Sequence, residues 1–180
     1  VHAVNGCSTR DEARSLMDST LERLKVEIFA AKKFVGSDVR LVVLPEYFLT
    51  AYPMGDTIKG WADKAALLED GPEYAKLGEI AKDNDIFISG NAYEVDAHFD
   101  ELYFQTSFII DPKGDVILRY RRLNSMYSPT PHDVWDKYLD IYGIEGVFPV
   151  ADTEIGRLAC IASEEILYPE IARMFFIRGA

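Results

Sequence analysis

The segment formed by residues 156–170 places the strongest constraint on the fold, because it predicts a strand that runs directly into a helix. The apolar run at residues 158–162 indicates a strand, and the run stops at Ser163. Pro169 then stands where the first turn of a helix tolerates a residue without an N–H, and Gly179 suits the end of that helix. A small polar residue at such a turn lies near free backbone N–H groups, where hydrolases place nucleophiles.

A long amphipathic helix and an apolar strand are predicted in the N-terminal part of the chain. Thr9 and Glu12 have the spacing of a capping box, and apolar residues then recur at helical spacing to about Phe34. Residues 41–44 form a continuous apolar run, which is typical of a strand buried on both faces. Residues 1–4 are interpreted as the remnant of an earlier strand.

The rest of the chain continues the alternation of strands and helices. Residues 124–146, which contain prolines and tyrosines, are interpreted as a functional loop with a helical piece near residues 134–139. The other predicted elements are a helix that starts at residues 70–73, a strand at 86–90, and an antiparallel hairpin of 102–110 and 116–120 around a turn at 111–115. This alternation predicts an α/β fold with a mixed sheet.

The acidic charge balance of the chain bears on its partners. The sequence has 19 lysines and arginines against 30 aspartates and glutamates, which gives a formal net charge of −11. An acidic surface repels nucleic acid and anionic membranes, and the one visible basic cluster is Arg119, Arg121 and Arg122. No apolar stretch has the length of a membrane span. We therefore expect no nucleic-acid partner and no membrane partner.

The size and the cysteine content indicate one cytoplasmic domain. A chain of 180 residues of which 48% are hydrophobic buries a substantial core, so residues 1–180 are expected to form a single domain. Cys7 and Cys160 are far apart without metal-ligand spacing, and the three histidines are scattered. These features predict no metal, no cofactor and a reducing, cytoplasmic location.

Glu46 and Arg122 are two candidate catalytic residues, since each follows a predicted strand directly. A carboxylate at the end of a buried strand is suited to general-base chemistry, and the alternative is an ordinary solvated acid. A cation at the end of the hairpin is suited to stabilise a developing oxyanion, and the alternative is a solvated arginine at a strand end.

Ser163 is the third candidate catalytic residue, at the strand-to-helix turn. Serine is also common at turns and helix caps, which is the alternative interpretation. Its neighbours do not form the G-x-S-x-G motif. A Ser–His–Asp arrangement would have to recruit His132 and Asp133, and nothing in the sequence brings these residues beside Ser163. Cys160 is interpreted as a buried core thiol.

Three segments occur in the order of the motifs of the nitrilase superfamily, the carbon–nitrogen hydrolases. Residues 44–53, which read Leu-Pro-Glu-Tyr-Phe-Leu-Thr-Ala-Tyr-Pro, resemble the glutamate motif of that family. Residues 120–122, Tyr-Arg-Arg, are similar to the segment that carries its catalytic lysine, and residues 156–170 are similar to its cysteine segment. The resemblance spans nearly the whole chain and is nearest to the aliphatic-amidase-like branches.

The resemblance implies an α-β-β-α sandwich, of which this chain holds the first part and lacks the C-terminal end of the domain. It also implies hydrolysis of a non-peptide C–N bond, in an amide or a nitrile, through an acyl-enzyme. By position, Glu46 is then the base, Arg122 the oxyanion stabiliser and Ser163 the nucleophile.

The expected partners follow from the same resemblance. The substrate is a small-molecule amide or nitrile, and we expect it to contact Tyr52, Asp133 and Glu164. Members of the family tend to oligomerise, which favours a homo-oligomer.

The chain departs from the family at two of its three catalytic positions. Ser163 stands where the family has cysteine, and serine needs a base to remove a far less acidic proton. Arg122 stands where the family has lysine, and it keeps the positive charge in a planar guanidinium. Two functions stay open: a hydrolase rebuilt around serine, and an inactive member of the fold that binds a small molecule, regulates a partner or forms an assembly.

Overall fold

The computed structural model describes residues 4–100 and 102–180. The helices are α1 (Arg10–Val35), α2 (Ile58–Ala65), α3 (Pro72–Asn84), α4 (Trp135–Val147) and α5 (Pro169–Ile177). The strands are β1 (Leu41–Val43), β2 (Leu67–Leu68), β3 (Phe87–Val95), β4 (Phe104–Ile110), β5 (Val116–Arg121), β6 (Ala151–Thr153) and β7 (Gly156–Leu158). Short 3-10 helices occupy Val4–Gly6, Pro131–Val134 and Ser163–Leu167. The strand predicted at residues 1–4 lies outside the described residues except for Val4, which begins a 3-10 helix.

Helix α1 starts and ends as its sequence predicts. The backbone N–H of Glu12 donates to Thr9 Oγ1 at 3.2 Å, and the Glu12 carboxylate accepts from the backbone N–H of Thr9, which completes the capping box. The buried residues of the helix recur at a spacing of three to four, as a core-facing stripe requires: Ala13, Met17, Thr20, Leu21, Leu24 and Ile28. Gly36 ends the helix with a φ of 130°, a conformation that favours glycine.

The main sheet has five strands and mixed direction. Its path is β1-β3-β4-β5, and the short β2 pairs with the far end of β3. β1 and β2 run parallel to β3, whereas β4 pairs antiparallel with both β3 and β5. The predicted hairpin is therefore confirmed, and so is the mixed α/β class. A separate two-stranded sheet is formed by β6 and β7.

Two apolar cores lie against the main sheet. One contains the buried residues of α1, α2 and α3 together with strand residues such as Ile88 and Ile110. The other contains Phe87 and Ile109, packed with α4, the β6–β7 hairpin and α5. Successive residues of a strand point to opposite faces, so the two cores lie on opposite faces of the sheet. Helices α1, α2 and α3 cover one face, and α4, α5 and the β6–β7 hairpin cover the other. The rings of Tyr120 on β5 and Phe175 on α5 are packed edge to face, with their centroids 5.2 Å apart.

Three expectations about extended and helical segments need correction. The apolar run at residues 158–162 was predicted as one strand, but only Gly156–Leu158 is strand, and residues 159–162 have no ladder partner within the described chain. β1 was predicted to be buried on both faces, yet Val43 is 70% exposed, because β1 is an edge strand whose outer side chains face an open cleft. The helical piece near residues 134–139 continues to Val147, with a kink at Gly143.

Candidate active site

A cleft of about 320 Å³ lies between one face of the main sheet and the extended segment before α5. We call it the site cleft. Apolar residues of β1, β4 and residues 158–162 contribute much of its wall. Its polar lining residues are Glu46, Ser89, Asn91, Ser107, Cys160 and Ser163. Two of the three predicted catalytic residues, Glu46 and Ser163, thus share one cavity.

Glu46 lies in the tight turn that follows β1. The next residue, Tyr47, has a φ of 52°, a left-handed conformation that is unusual for a bulky side chain. Its ring stacks on that of Tyr93 with the ring centroids 4.8 Å apart, which holds the strained turn against β3. Burial raises the pKa of the Tyr47 hydroxyl to about 12, and the charge of Glu46 acts in the same direction.

Gln105 on β4 connects Glu46 with Arg122. Its Nε2 donates to Glu46 Oε1 at 2.6 Å, and its Oε1 accepts from Arg122 Nη1 at 2.6 Å. The Gln105 side chain also donates to Asn91 Oδ1 at 3.3 Å. Gln105 is 1% exposed, so its bonds to Arg122 and Asn91 form away from bulk water, whereas Glu46 is itself exposed.

Arg122 is buried, so the interpretation of a solvated strand end is wrong. The residue is 5% exposed, and its Nε donates to the backbone carbonyl of Asn124 at 2.6 Å. Its Nη2 forms an ion pair with Glu164. With Gln105 as a further acceptor, the guanidinium is engaged on three sides, as a buried cation requires. Arg122 is not among the residues that line the site cleft.

Ser163 occupies a strained position at the start of a short 3-10 helix. Its φ of 55° places it in the left-handed region, which costs about 1–3 kcal/mol for a residue other than glycine. Burial opposes ionisation of the neighbouring Glu164, but hydrogen bonds from its own backbone, from Ser163 and from Arg122 hold the pKa of Glu164 below its ordinary value. Ser163 and Arg122 are therefore connected through one carboxylate.

Glu165 ties the Ser163 segment to the end of β5, and sequence reasoning did not single it out. It is fully buried and accepts hydrogen bonds from the Tyr120 hydroxyl at 2.7 Å, the Leu123 N–H at 2.8 Å and the Asn124 N–H at 2.9 Å. Because these three donors flank Arg122 in sequence, Glu165 holds the segment that contains Ser163 against the end of β5.

Cys160 is buried, as predicted, but it also lines the site cleft. Its Sγ lies 3.9 Å from Ser89 Oγ. Burial raises the pKa of the thiol to about 11, which leaves it protonated at neutral pH.

None of the three residues expected to contact the substrate lines the site cleft, and Glu164 is paired with Arg122. Tyr52 is 57% exposed and Asp133 caps the turn at Pro131–Val134 by accepting from the Thr130 N–H at 2.7 Å. Neither residue lines the site cleft. His132 stacks on Trp135 with the ring centroids 4.9 Å apart, and it does not line the cleft with Ser163 either. The Ser–His–Asp alternative thus gains no support from the described residues.

The basic cluster seen in the sequence is largely neutralised by acidic partners. Arg119 Nε lies 3.0 Å from Glu94 Oε2, and Arg121 Nη2 lies 2.7 Å from Asp96 Oδ2. Arg121 is only 4% exposed. These two arginines are therefore engaged by carboxylates within the fold.

The polar side chains on this face of the sheet have a recognisable spacing in the sequence. Ser89 and Asn91 are two residues apart in β3, and Gln105 and Ser107 are two residues apart in β4. Alternate residues of a strand share one face. Since Asn91 pairs with Ser107 across the two strands, these alternate polar residues form one polar patch on a single face of the sheet.

Among residues 4–100 and 102–180, no group of three or more histidine, cysteine, aspartate or glutamate side chains is arranged to hold a metal ion. No helix in the same two ranges is both long enough and apolar enough to cross a membrane.

The chain resembles known proteins over nearly its whole length. The family model described as carbon-nitrogen hydrolase matches residues 8–180. Nitrilase homolog 2 of Dictyostelium discoideum is 28% identical over 164 residues, which cover 91% of this chain and 48% of the relative. A formamidase of Bacillus cereus (strain Q1) is 29% identical over 171 residues, which cover 94% of this chain and 47% of the relative.

A similar fold occurs in the crystal structure of Saccharomyces cerevisiae Nit3, a member of branch 10 of the nitrilase superfamily. The TM-score is 0.67 at 21% identity, with 98% of this chain and 58% of that chain covered. The chain belongs to the carbon–nitrogen hydrolase family, the nitrilase superfamily. It spans about half the length of the curated relatives that it matches.

Proposed function

We propose that the protein hydrolyses a non-peptide C–N bond of a small amide or nitrile through an acyl-enzyme, with Ser163 as nucleophile, Glu46 as base and Arg122 as oxyanion stabiliser. The observation that carries this proposal is the shared cleft of Glu46 and Ser163, to which Arg122 is connected by Gln105 and Glu164. Membership of the family and the similarity to formamidases support the reaction class.

The proposed reaction on an amide begins with attack of Ser163 Oγ on the carbonyl carbon. The Glu46 carboxylate takes the hydroxyl proton, and the C=O double bond becomes an oxyanion that the Arg122 guanidinium stabilises. Collapse of the tetrahedral intermediate breaks the C–N bond, and the proton on Glu46 passes to the leaving nitrogen. Water then attacks the ester with Glu46 again as base, which releases the acid and restores the Ser163 hydroxyl.

Substrate contacts and assembly belong to the same proposal. Glu164 follows the lining residue Ser163 and pairs with Arg122, so it is the strongest of the three candidates for a substrate contact, although Glu164, like Tyr52 and Asp133, is not itself a lining residue of the cleft. A role close to that of the aliphatic amidases and a homo-oligomeric state are proposed from the family resemblance.

An inactive member of the fold is the second candidate function. It is favoured by the state of Arg122, whose guanidinium is engaged by Gln105, Glu164 and the Asn124 carbonyl and does not line the cleft. A cation with three acceptors has fewer N–H groups to offer an oxyanion. In this alternative the cleft binds a small molecule without turnover.

Ammonia release from a panel of small amides and nitriles tests the proposal. We expect the wild-type protein to release ammonia and Ser163→Ala to be at least about 10³-fold slower. Ser19→Ala, on the exposed side of α1, is the matched control and should keep full activity. Unchanged turnover in Ser163→Ala would refute the serine mechanism, and no release by the wild type would favour the inactive alternative.

A further inference from the structure

We propose that Gln105 is a positioning residue of the site, which holds Glu46 and Arg122 at a fixed separation and prevents their direct ion pairing. Its role in turnover rests on the hydrolase function proposed above, whereas its role in the geometry of the site does not. The argument uses the hydrogen bonds of the Gln105 side chain, its attachment to the sheet and the opposite charges of its two partners.

The orientation of the Gln105 amide is determined by its neighbours. Arg122 offers only N–H donors, so the atom of Gln105 that faces Arg122 must be the acceptor Oε1. The Glu46 carboxylate is an acceptor when ionised, so it must face the Nε2 group. The second Nε2 hydrogen is directed to Asn91 Oδ1 at 3.3 Å. Reversing the amide would oppose donor to donor and acceptor to acceptor, so one orientation is fixed.

Gln105 is itself attached to Arg122 twice. The backbone N–H of Arg122 donates to the backbone carbonyl of Gln105 at 2.9 Å, in addition to the bond between their side chains. Gln105 also lies within β4, where its neighbours on both sides are buried. The side chain therefore has little freedom to move, and it transfers this rigidity to Glu46, which lies in a loop turn.

The position of Gln105 keeps two opposite charges apart. Its amide accepts from the cation and donates to the carboxylate, so each charge is stabilised by a hydrogen bond to a neutral group. Without the amide, Glu46 and Arg122 would be free to approach each other and pair directly. Direct pairing would occupy the carboxylate with the guanidinium, so Glu46 could no longer act as the base proposed above for Ser163.

The chain contains a single glutamine, so the Gln105 side chain has a unique spectroscopic signal. Labelling the protein with glutamine that carries ¹⁵N in its side-chain amide gives one NH₂ group in a ¹H–¹⁵N correlation spectrum. We expect one of its protons to be shifted downfield by the charged acceptor Glu46. Glu46→Leu should abolish that shift, Arg122→Met should broaden or move both protons, and Glu79→Leu, on the exposed face of α3, should leave them unchanged.

Kinetics of Gln105→Met test the consequence for turnover, because methionine keeps the length of the side chain and removes the amide. We expect kcat to fall about 100-fold with KM unchanged, as for a misplaced catalytic group. Thr106→Val is the matched control on the same strand, since Thr106 points to the opposite face and its Oγ1 has no hydrogen-bond partner among the described residues. It should keep full activity.

The two readouts separate failure of this inference from failure of the proposed function. A Gln105 signal that responds to neither Glu46→Leu nor Arg122→Met overturns the inference, even in an active enzyme. Wild-type kcat in Gln105→Met also overturns it. If the wild-type protein releases no ammonia, the proposed function fails, and the amide signal alone then decides whether Gln105 holds Glu46 and Arg122 apart.

Discussion

The hydroxyl of Tyr120 on β5 donates a hydrogen bond of 2.7 Å to the fully buried carboxylate of Glu165, which lies 45 residues further along the chain. This bond joins the strand that leads to Arg122 to the turn that carries Ser163. Burial raises the pKa of the Tyr120 hydroxyl, and the neighbouring Glu165 raises it further, so Tyr120 stays a donor at neutral pH. This hydrogen bond therefore helps to bring the segments that carry Arg122 and Ser163 together, although they are far apart in the sequence.

Glu165→Leu should lower the free energy of unfolding by about 3–5 kcal/mol, because it leaves the Tyr120 hydroxyl and the N–H groups of Leu123 and Asn124 without their acceptor. Urea denaturation measures the change. Glu79→Leu on the exposed side of α3 is the control and should stay within about 0.5 kcal/mol of the wild type. A loss below about 1 kcal/mol in Glu165→Leu would show that water replaces the carboxylate.

Gly78→Ala should destabilise the protein, although alanine in a helix is more favourable than glycine by about 1 kcal/mol. A Cβ on Gly78 would lie 2.6 Å from the carbonyl oxygen of Gly114 in the β4–β5 turn, and this backbone atom has to move. Overpacking of this kind costs about 1–3 kcal/mol. The midpoint of urea unfolding should therefore fall, whereas Gly6→Ala, with nothing within 4 Å of the added carbon, should leave it unchanged. A raised midpoint in Gly78→Ala would contradict the close approach.

Glu164→Gln should remove a contribution to stability that depends on pH. The pKa of Glu164 in the folded protein lies below its ordinary value of 4.5, so the folded state binds fewer protons than the unfolded state in this range. The stabilisation is fully present above that ordinary value and is lost as the pH falls through the lower folded pKa. Urea denaturation at neutral pH and at about pH 3 should show the wild type losing its advantage over Glu164→Gln. If the wild type instead became more stable relative to Glu164→Gln as the pH falls, the lowered pKa of Glu164 would be contradicted.

Ser163→Cys combined with Arg122→Lys should raise the turnover of simple amides by about tenfold or more, which corresponds to about 1.4 kcal/mol of barrier. Cysteine is partly thiolate near neutral pH and is the better nucleophile, and both residues then match the family pattern. Steady-state ammonia release measures the gain, with the two single variants as controls. No gain in the double variant would indicate that the cleft itself has changed and would favour the inactive alternative.

Much of the secondary structure could be predicted from local patterns. The capping box of Thr9 and Glu12, the helix that begins at Pro72 and the turn around Gly114 follow from residues within a few positions of one another. The prediction for residues 158–162 was wrong, because an apolar run shows that a segment is buried but does not show which strand, if any, pairs with it.

The sequence by itself determined the family and the order of Glu46, Arg122 and Ser163, since both depend on residue types at short spacings. Only the tertiary structure decided that Gln105 separates Glu46 from Arg122 and that Glu165 joins the Arg122 and Ser163 segments. Gln105 lies 59 residues from Glu46, and Glu165 lies 42 residues from Leu123. Hydrogen bonds across such separations depend on how strands pair and elements pack, which local sequence patterns do not encode.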